Sequence, residues 1–457
     1  MKTLKKTLGR LTGLAMAIAM LSCESMVKVD SPAQAIDSGS LFATRAGFES
    51  AIRGIYRELS TGNLSLTNGG LSVYMSMYAD DLVPRSNSAN YQAFYRNSIL
   101  SDNSVVYSFW NQAYIAIYRA NLILEHLDSA DFLSQEIADD FRGQALFIRA
   151  MHHFYLWQLY GDIPLILDTN YDSNSRKGRT NSTDVVRQIK TDLGDAAKKI
   201  GKNGRTDKAF PDFYTVQALL ARVNLYTEDY RQAADACDPI LDNKDFRLEE
   251  LHKVFKMGSR EALWQFTNEY RNVAVARSFI PSSPTSAPLF YLSQDLLNIF
   301  DADDGRKSAW INSNMVSGVP YNYPYKYQNR NNTTPVTEFY IVFRLAEIYL
   351  IRAEANWKLE KMDEAINDLN MVRQRAGLGP IGSVDPDEFK DLMIDERRRE
   401  FFCEIGHRWF DLKRWGFLDD VLAPIKENYD AHLSLLPIPY SQMRRNPFLT
   451  PNPGYNE

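Results

Sequence analysis

The sequence predicts a mainly α-helical fold of stacked helix pairs carrying long irregular loops. Three observations predict it. Apolar residues recur at helical spacing through most of the 457 residues, a helix-pair pattern returns at a fixed offset, and two long stretches rich in Asn, Ser, Pro and Tyr interrupt the rhythm. A hydrophobic fraction of 45% is that of an ordinary globular protein, so a large core can form.

The first element is a leader. Lys2, Lys5, Lys6 and Arg10 precede the apolar run Leu11 to Leu21, which is too short to span a bilayer and fits a signal-peptide core. Leu21-Ser22-Cys23 resembles a bacterial lipobox, with Met20 where Leu is usual. The expected organisation is therefore a lipoprotein signal peptide at 1–22, a tether at 23–39 lipidated on Cys23, and a helical body at 40–457. Each acyl CH₂ buried in a leaflet contributes about 0.8 kcal/mol, so two or more chains anchor a soluble domain firmly. No later stretch is long and apolar enough to cross a membrane.

Amphipathic helices are expected over Thr44 to Ser60, Val105 to Leu127, Gln135 to Tyr160, Thr183 to Ile200, Phe213 to Tyr226 and Phe343 to Lys358. Ala221, Asn224 and Ala233 recur as Ala353, Asn356 and Ala365, always 132 residues later. Small residues at those places let two antiparallel helices approach closely across the turns Glu228-Asp229 and Glu360-Lys361. The pattern resembles a tetratricopeptide unit, with Gln144 to Tyr160 opening a further copy. With Cys23 assigned to the anchor, Cys237 and Cys403 stand beside apolar neighbours in helical patterns and read as buried free thiols. Spacing alone leaves a disulfide open.

Chemistry is sparse. Six histidines form no HExxH pair, and neither a GxSxG elbow nor a phosphate-cradling glycine loop occurs, so no enzyme, cofactor or metal is expected. Asp301 to Arg306 falls short of a calcium loop because Gly305 stands at position 5 instead of 6, and it reads as a turn after Phe300. Without residues 1–22, 48 basic residues face 57 acidic ones, which speaks against nucleic acid as the main partner.

Aromatic residues are the compositional outlier, with 25 Tyr, 24 Phe and 7 Trp. The irregular stretches Ser60 to Asn103 and Asn268 to Thr337 concentrate Tyr, Asn and Arg, and are expected to form one ligand-facing surface over the helical scaffold. A sugar ring offers an apolar C–H face and a polar edge, which flat rings and a few directed polar groups can hold. Tyr91, Tyr95 and Arg96, with Asn87 and Asn90 nearby, supply that mixture in the first stretch. Tyr270, Arg271, Arg277, Phe290 and Tyr291 supply it in the second. Tyr321, Tyr323, Tyr325 and Tyr327 alternate at period 2, which puts them on one side of an extended segment. The expected ligand-binding set is Tyr91, Tyr95, Arg96, Tyr270, Arg277, Phe290, Tyr291 and Tyr323.

The densest signal lies near the C-terminus, in IDERRREFFCEIGHRWFDLKRWG from Ile394 to Gly416. Helical spacing puts Asp395 and Glu396 within reach of Arg399. After Gly406, Trp409, Phe410, Leu412 and Trp415 can bury one side of a second helix while Arg408, Asp411 and Arg414 pair. Arg397-Arg398-Arg399, flanked by acids, reads as internal pairing and not as an anion site. This segment, with GQALFIRAMHHFYLWQLYGDIPLIL (Gly143 to Leu167), the stretch from Phe343 to Gly377, and LPIPYSQMRRNPFLTPNPGY (Leu436 to Tyr455), closely resembles the SusD/RagB family of outer-membrane nutrient-binding lipoproteins. The resemblance implies a cell-surface lipoprotein that captures oligosaccharide and presents it to a TonB-dependent SusC-like transporter in the outer membrane. Family sugar contacts vary between members, so no site residue transfers by motif. Capture of oligopeptides, as in RagB-like proteins, and a tetratricopeptide-type scaffold that binds only protein are the alternatives.

Overall fold

The computed structural model describes residues 38–62, 64–202, 208–267 and 273–455. The leader, Cys23, the tether to residue 37, Tyr270 and Arg271 lie outside the described residues. The chain divides into two compact units, residues 1–48 and 49–457. In the first, the described residues form a short helix, Ser38–Leu41, and a tilted ring pair, Phe42 and Phe48, 4.8 Å between centroids.

The second unit is mostly helix. After α1 (Arg45–Ser60), the segment from Leu66 to Asp81 is buried throughout and includes a single π-turn, Leu71–Met75. More than a third of the first irregular stretch is therefore continuous core, contrary to the expected ligand-facing surface. Gly70 explains one tight spot there: a Cβ would lie 2.5 Å from the Ser65 carbonyl oxygen and 2.8 Å from the Phe109 ring. Next come β1 (Leu82–Pro84) and α2 (Ala89–Tyr95). The long helices α3 (Ser104–Leu127), α4 (Gln135–Tyr160) and α5 (Ser182–Lys199) pack side by side in order. Asn103 starts α3 by accepting from the Val105 and Val106 amides, and Asn181 starts α5 by accepting from Asp184.

The internal repeat is present, with three of the four helix ends and both turns at the same offset. The pair α6 (Phe213–Tyr226) and α7 (Tyr230–Leu241) is reproduced 132 positions later by a second pair, Leu345–Lys358 and Met362–Arg375. Ala221, Ala233, Ala353 and Ala365 are all fully buried at the close approaches. The turns match as well. Glu228 and Glu360 adopt left-handed backbone, and the next amides, Asp229 and Lys361, each donate to the Asn224 and Asn356 carbonyls at 2.8 Å. Helix α7 packs on the first helix of the second pair, so the hairpins stack.

Among the described residues three small antiparallel ladders join this scaffold. β2 (Ala262–Phe266) follows α7, and α8 (Ala274–Phe279) leads to β3 (Phe290–Leu292), which pairs with β1. β4 (Ile311–Val316) and β5 (Val319–Pro324) form a hairpin in full register, and β6 (Tyr340–Arg344) pairs with β2. All residues of β2 and β6 are buried. A strand buried on both faces shows no alternation, which is why the expected helix from Phe343 begins only at Leu345. The second pair is α9 (Leu345–Lys358) and α10 (Met362–Arg375). They are followed by α11 (Pro386–Phe401) and α12 (His407–Trp415).

The α11–α12 corner is ion-paired as expected. Arg399 reaches Asp395 at 3.5 Å and Glu396 at 3.7 Å, and Asp411 accepts from both Arg397 (2.8 Å) and Arg414 (2.9 Å). Arg408 goes elsewhere, making two 2.8 Å bonds to Asp80, which Arg398 also meets at 2.9 Å. Burial alone would raise the Asp80 carboxyl, but Arg398, Arg408 and Lys426 outweigh it and hold the group at about 2. Gly406 makes the turn with φ near +73°, where a Cβ would press on Phe410 and Met75. Asp304 caps the short helix Gly305–Trp310 and pairs with the buried Arg306 at 2.8 Å. Among the described residues no group of His, Cys, Asp or Glu is placed to hold a metal. Cys237 and Cys403 are buried and free.

Candidate functional site

The β1–β3 ladder sets the geometry of the site. Pairing of Val83 with Tyr291 turns Phe290 and Leu292 into the core and leaves Tyr291 half-buried on the outer side. The Arg85 amide continues the ladder by donating to the Leu289 carbonyl at 2.9 Å, which carries its side chain to the same face. There the Arg85 guanidinium lies 4.9 Å from the centre of the Tyr321 ring. Tyr321, brought in by β5, meets Tyr291 edge to face, 5.5 Å between centroids and 78° between planes. Burial pushes the Tyr291 phenol up, with Tyr95 and Tyr321 adding to the shift and Arg85 opposing it, so the four side chains share one electrostatic neighbourhood. Arg85 is exposed, and among the described residues it has no carboxylate partner.

Helix α2 delivers Tyr91 and Tyr95 one turn apart. Tyr91 leans on the buried Phe290 ring at 4.9 Å and on Tyr74 at 5.8 Å, which fixes its plane. Tyr95 is held from below by Lys426. Its ammonium is 4.4 Å from the Tyr95 ring centre and donates to the Met77 and Tyr95 carbonyls at 2.8 Å each. Burial drives the Lys426 amine down to about 8, against the pull of Asp80 and Asp81. Asn428 adds a bond to the Arg96 carbonyl at 3.1 Å. The C-terminal segment thus stiffens the end of α2 that bears the tyrosines.

The expected set is partly assembled. Tyr95 and Tyr291 share one neighbourhood, Tyr91 packs instead on Phe290 and Tyr74 on the inner side of the ladder, and Arg96 is exposed at the end of α2. Arg277 is exposed on α8, whose Phe279 ring packs on Phe290 at 6.5 Å. Two residues are corrections. Phe290 is fully buried and serves as the support under Tyr91, and Tyr323 is buried with its hydroxyl 3.5 Å from Asn314. The four tyrosines expected on one side do not act alike: the chain leaves β5 at Pro324, before Tyr325 and Tyr327, and within β5 Tyr323 is covered while Tyr321 is not. Tyr321 reaches the face, Tyr323 packs against Tyr325 at 6.1 Å, and Tyr327 is in the core accepting from the Ile341 amide at 3.0 Å. Asn90 is engaged, donating to Ser104 at 3.0 Å. Arg85 and Lys426 were missed, since their places depend on a strand pairing and on a contact 331 residues apart in sequence. Tyr321 had a sequence signal, but period 2 ranked it equal to its buried neighbours.

Perpendicular ring faces beside an unpaired guanidinium match the demands of a flat, many-hydroxyl ligand. The model of the SusD family matches residues 166–434, and a second family model, described as starch-binding associating with outer membrane, matches residues 39–225. The chain belongs to the SusD family. SusD-like protein P2 of Formosa agariphila is 26% identical over an alignment covering 98% of this chain and 99% of that protein. A SusD superfamily protein from Bacteroides vulgatus has the same fold, with a TM-score of 0.80 at 21% identity, covering 90% of this chain and 99% of the other. A laminarin-binding SusD-like protein superposes with a TM-score of 0.75 at 21% identity over 90% of this chain and all of that one.

Proposed function

We propose that this SusD-family chain binds glycans at the cell surface, capturing an oligosaccharide on the Tyr95–Tyr291–Tyr321 face without altering it covalently. The observation that carries this reading is the meeting of three half-buried tyrosines with Arg85, whose donors are free to reach sugar hydroxyls. Stacking of C–H faces on rings supplies most of the affinity, and the guanidinium orients the polar edge. The descriptions of relatives as starch-binding and laminarin-binding support the ligand class.

The proposal extends to delivery. A lipid on Cys23 holds the protein to the outer membrane, with residues 24–39 as tether and the body from residue 40 as a lid on a SusC-like, TonB-dependent transporter. Neither metal nor cofactor enters. Calorimetry with starch and laminarin oligosaccharides, and with oligopeptides of similar size, tests the ligand: saccharide binding is expected, and binding of peptides alone would overturn it. Radiolabelled palmitate on the wild type but not on Cys23→Ala tests the anchor. Uptake unchanged after deleting the transporter would overturn delivery.

A further inference from the structure

Away from the tyrosine face, a cavity of about 250 Å³ opens between the C-terminal half of α1, the turn after it, α3 and α4. One side is apolar, from Ile55, Leu59, Leu66 and Ala116. Within it stand polar groups. Thr67 is 4% exposed and lines the cavity. The Ser65 hydroxyl is enclosed and unpartnered among the described residues. His152 is 1% exposed, and its Nδ1 lies 2.8 Å from the Ile148 carbonyl. A carbonyl only accepts, so Nδ1 carries the proton and Nε2 keeps a lone pair. Burial lowers this imidazole to about 4, so the ring is neutral near pH 7.

An unsatisfied buried hydroxyl is costly and uncommon, and Ser65, set beside the Thr67 hydroxyl and the His152 lone pair in one cavity, marks a place where a polar molecule completes the bonding. The charged groups at the cavity are already matched, because Glu58 pairs with Arg119. The Gln112 amide is also spent, accepting from the Leu66 amide at 2.7 Å and donating to Ser108 at 2.9 Å. What remains is one acceptor, two hydroxyls and an apolar wall. We propose that this cavity is a second binding site, for a neutral polyol the size of a single hexose. It shares no residue with the tyrosine face and stands whether or not that face holds glycan.

Methyl NMR of the full chain, reading Ile55, Leu59, Leu66 and Ala116 during titration with D-glucose, tests it. Saturable shifts of these methyls are expected in the wild type. The near-isosteric Thr67→Val is expected to weaken glucose about fivefold, the effect of one lost hydrogen bond. His152→Phe, which removes the acceptor and fills space, is expected to abolish the shifts. Absence of saturable shifts, or equal affinity in wild type and Thr67→Val, overturns the site. Tighter binding of D-glucuronate than of glucose overturns the neutral-ligand assignment. Tyr291→Ala is expected to leave these shifts intact, so failure here and failure of the glycan face are distinguishable.

Discussion

Arginine and aromatic rings build both the ion-paired corner behind α11 and the Tyr291 face, yet they are used in opposite ways. In the corner the guanidinium groups are buried and ion-paired. Arg306 meets Asp304, Glu396 and Glu400 at 2.6 to 2.9 Å, and Arg344 meets Glu261 and Glu404 at 2.8 to 3.0 Å while sharing Glu400. Rings close over these ions, with Arg344 4.6 Å from the Phe401 centre. On the face Arg85 lies 4.9 Å from the Tyr321 centre, but it is exposed and has no carboxylate partner among the described residues. A guanidinium that has spent its donors within the protein holds the fold, and one whose donors point to water can hold a ligand. Residue type does not separate the two regions; satisfaction does.

Breaking the corner is expected to have the largest effect. Arg306→Leu leaves three carboxylates in a dry interior with one cation fewer, and removing one partner of a buried ion cluster costs about 3–5 kcal/mol. Urea denaturation is the measurement. A loss below about 1 kcal/mol would mean that water reaches the cluster and that the contrast with the face is false.

Acid separates the regions next. His152 and His153 are both buried, and burial lowers them to about 4 and about 3. The unfolded chain takes up these protons near pH 6.5, the folded chain only near pH 4 and below, so stability falls as pH drops through that window. Asp80 follows the same direction lower down, losing its contribution as pH falls from about 3.8 toward 2. A shift from 6.5 to about 4 corresponds to on the order of 3 kcal/mol for His152 alone. Melting temperature is therefore expected to fall between pH 6.5 and pH 4, and a His153→Leu variant to fall less. The Tyr291 phenol is shifted upward and stays neutral throughout, so glycan affinity of the folded protein is expected to be flat over the same range. Affinity that tracked the melting curve would place a titrating group in the site.

Tyr291→Ala reverses the pattern. The ring is half-buried, with its stacking area turned outward, so folding is expected to change by about 1 kcal/mol or less while oligosaccharide binding drops about tenfold. Unfolding and calorimetry on the same variant read the two quantities together. Equal losses in both would make Tyr291 a structural ring.

The helical scaffold was legible because helical periodicity and close-packed alanines are local signals. The offset between Ala221 and Ala353 alone located both hairpins and their turns. The α11–α12 block was legible for a similar reason, since Asp395, Arg399, Asp411 and Arg414 pair over three or four positions. The face was only half legible. Tyr91 and Tyr95 lie on one helix, but whether a strand tyrosine points outward depends on register with a partner strand, which no local pattern encodes. Phe290 and Tyr291 are neighbours with opposite fates for that reason, and Arg85 enters the site only because Val83 pairs with Tyr291.

Tyr323→Phe carries the smallest expected effect and tests that point most sharply. Tyr323 shares its period with Tyr321 and has the same chemistry, but it is buried, and its hydroxyl makes only a long 3.5 Å contact with Asn314. Deleting that oxygen keeps the ring and removes a bond at the margin of hydrogen-bonding distance, so stability is expected to move by about 0.5 kcal/mol or less. Glycan affinity is expected to stay within about twofold of wild type, because a buried hydroxyl has no route to a bound sugar. Tyr321→Phe, one step along the same face of β5, supplies the contrast: its phenol stands at the Tyr291 and Arg85 cluster, so a measurable loss of affinity is expected there. If Tyr323→Phe weakened binding and Tyr321→Phe did not, β5 would present the other ring to the ligand, and the register that builds the face would be wrong.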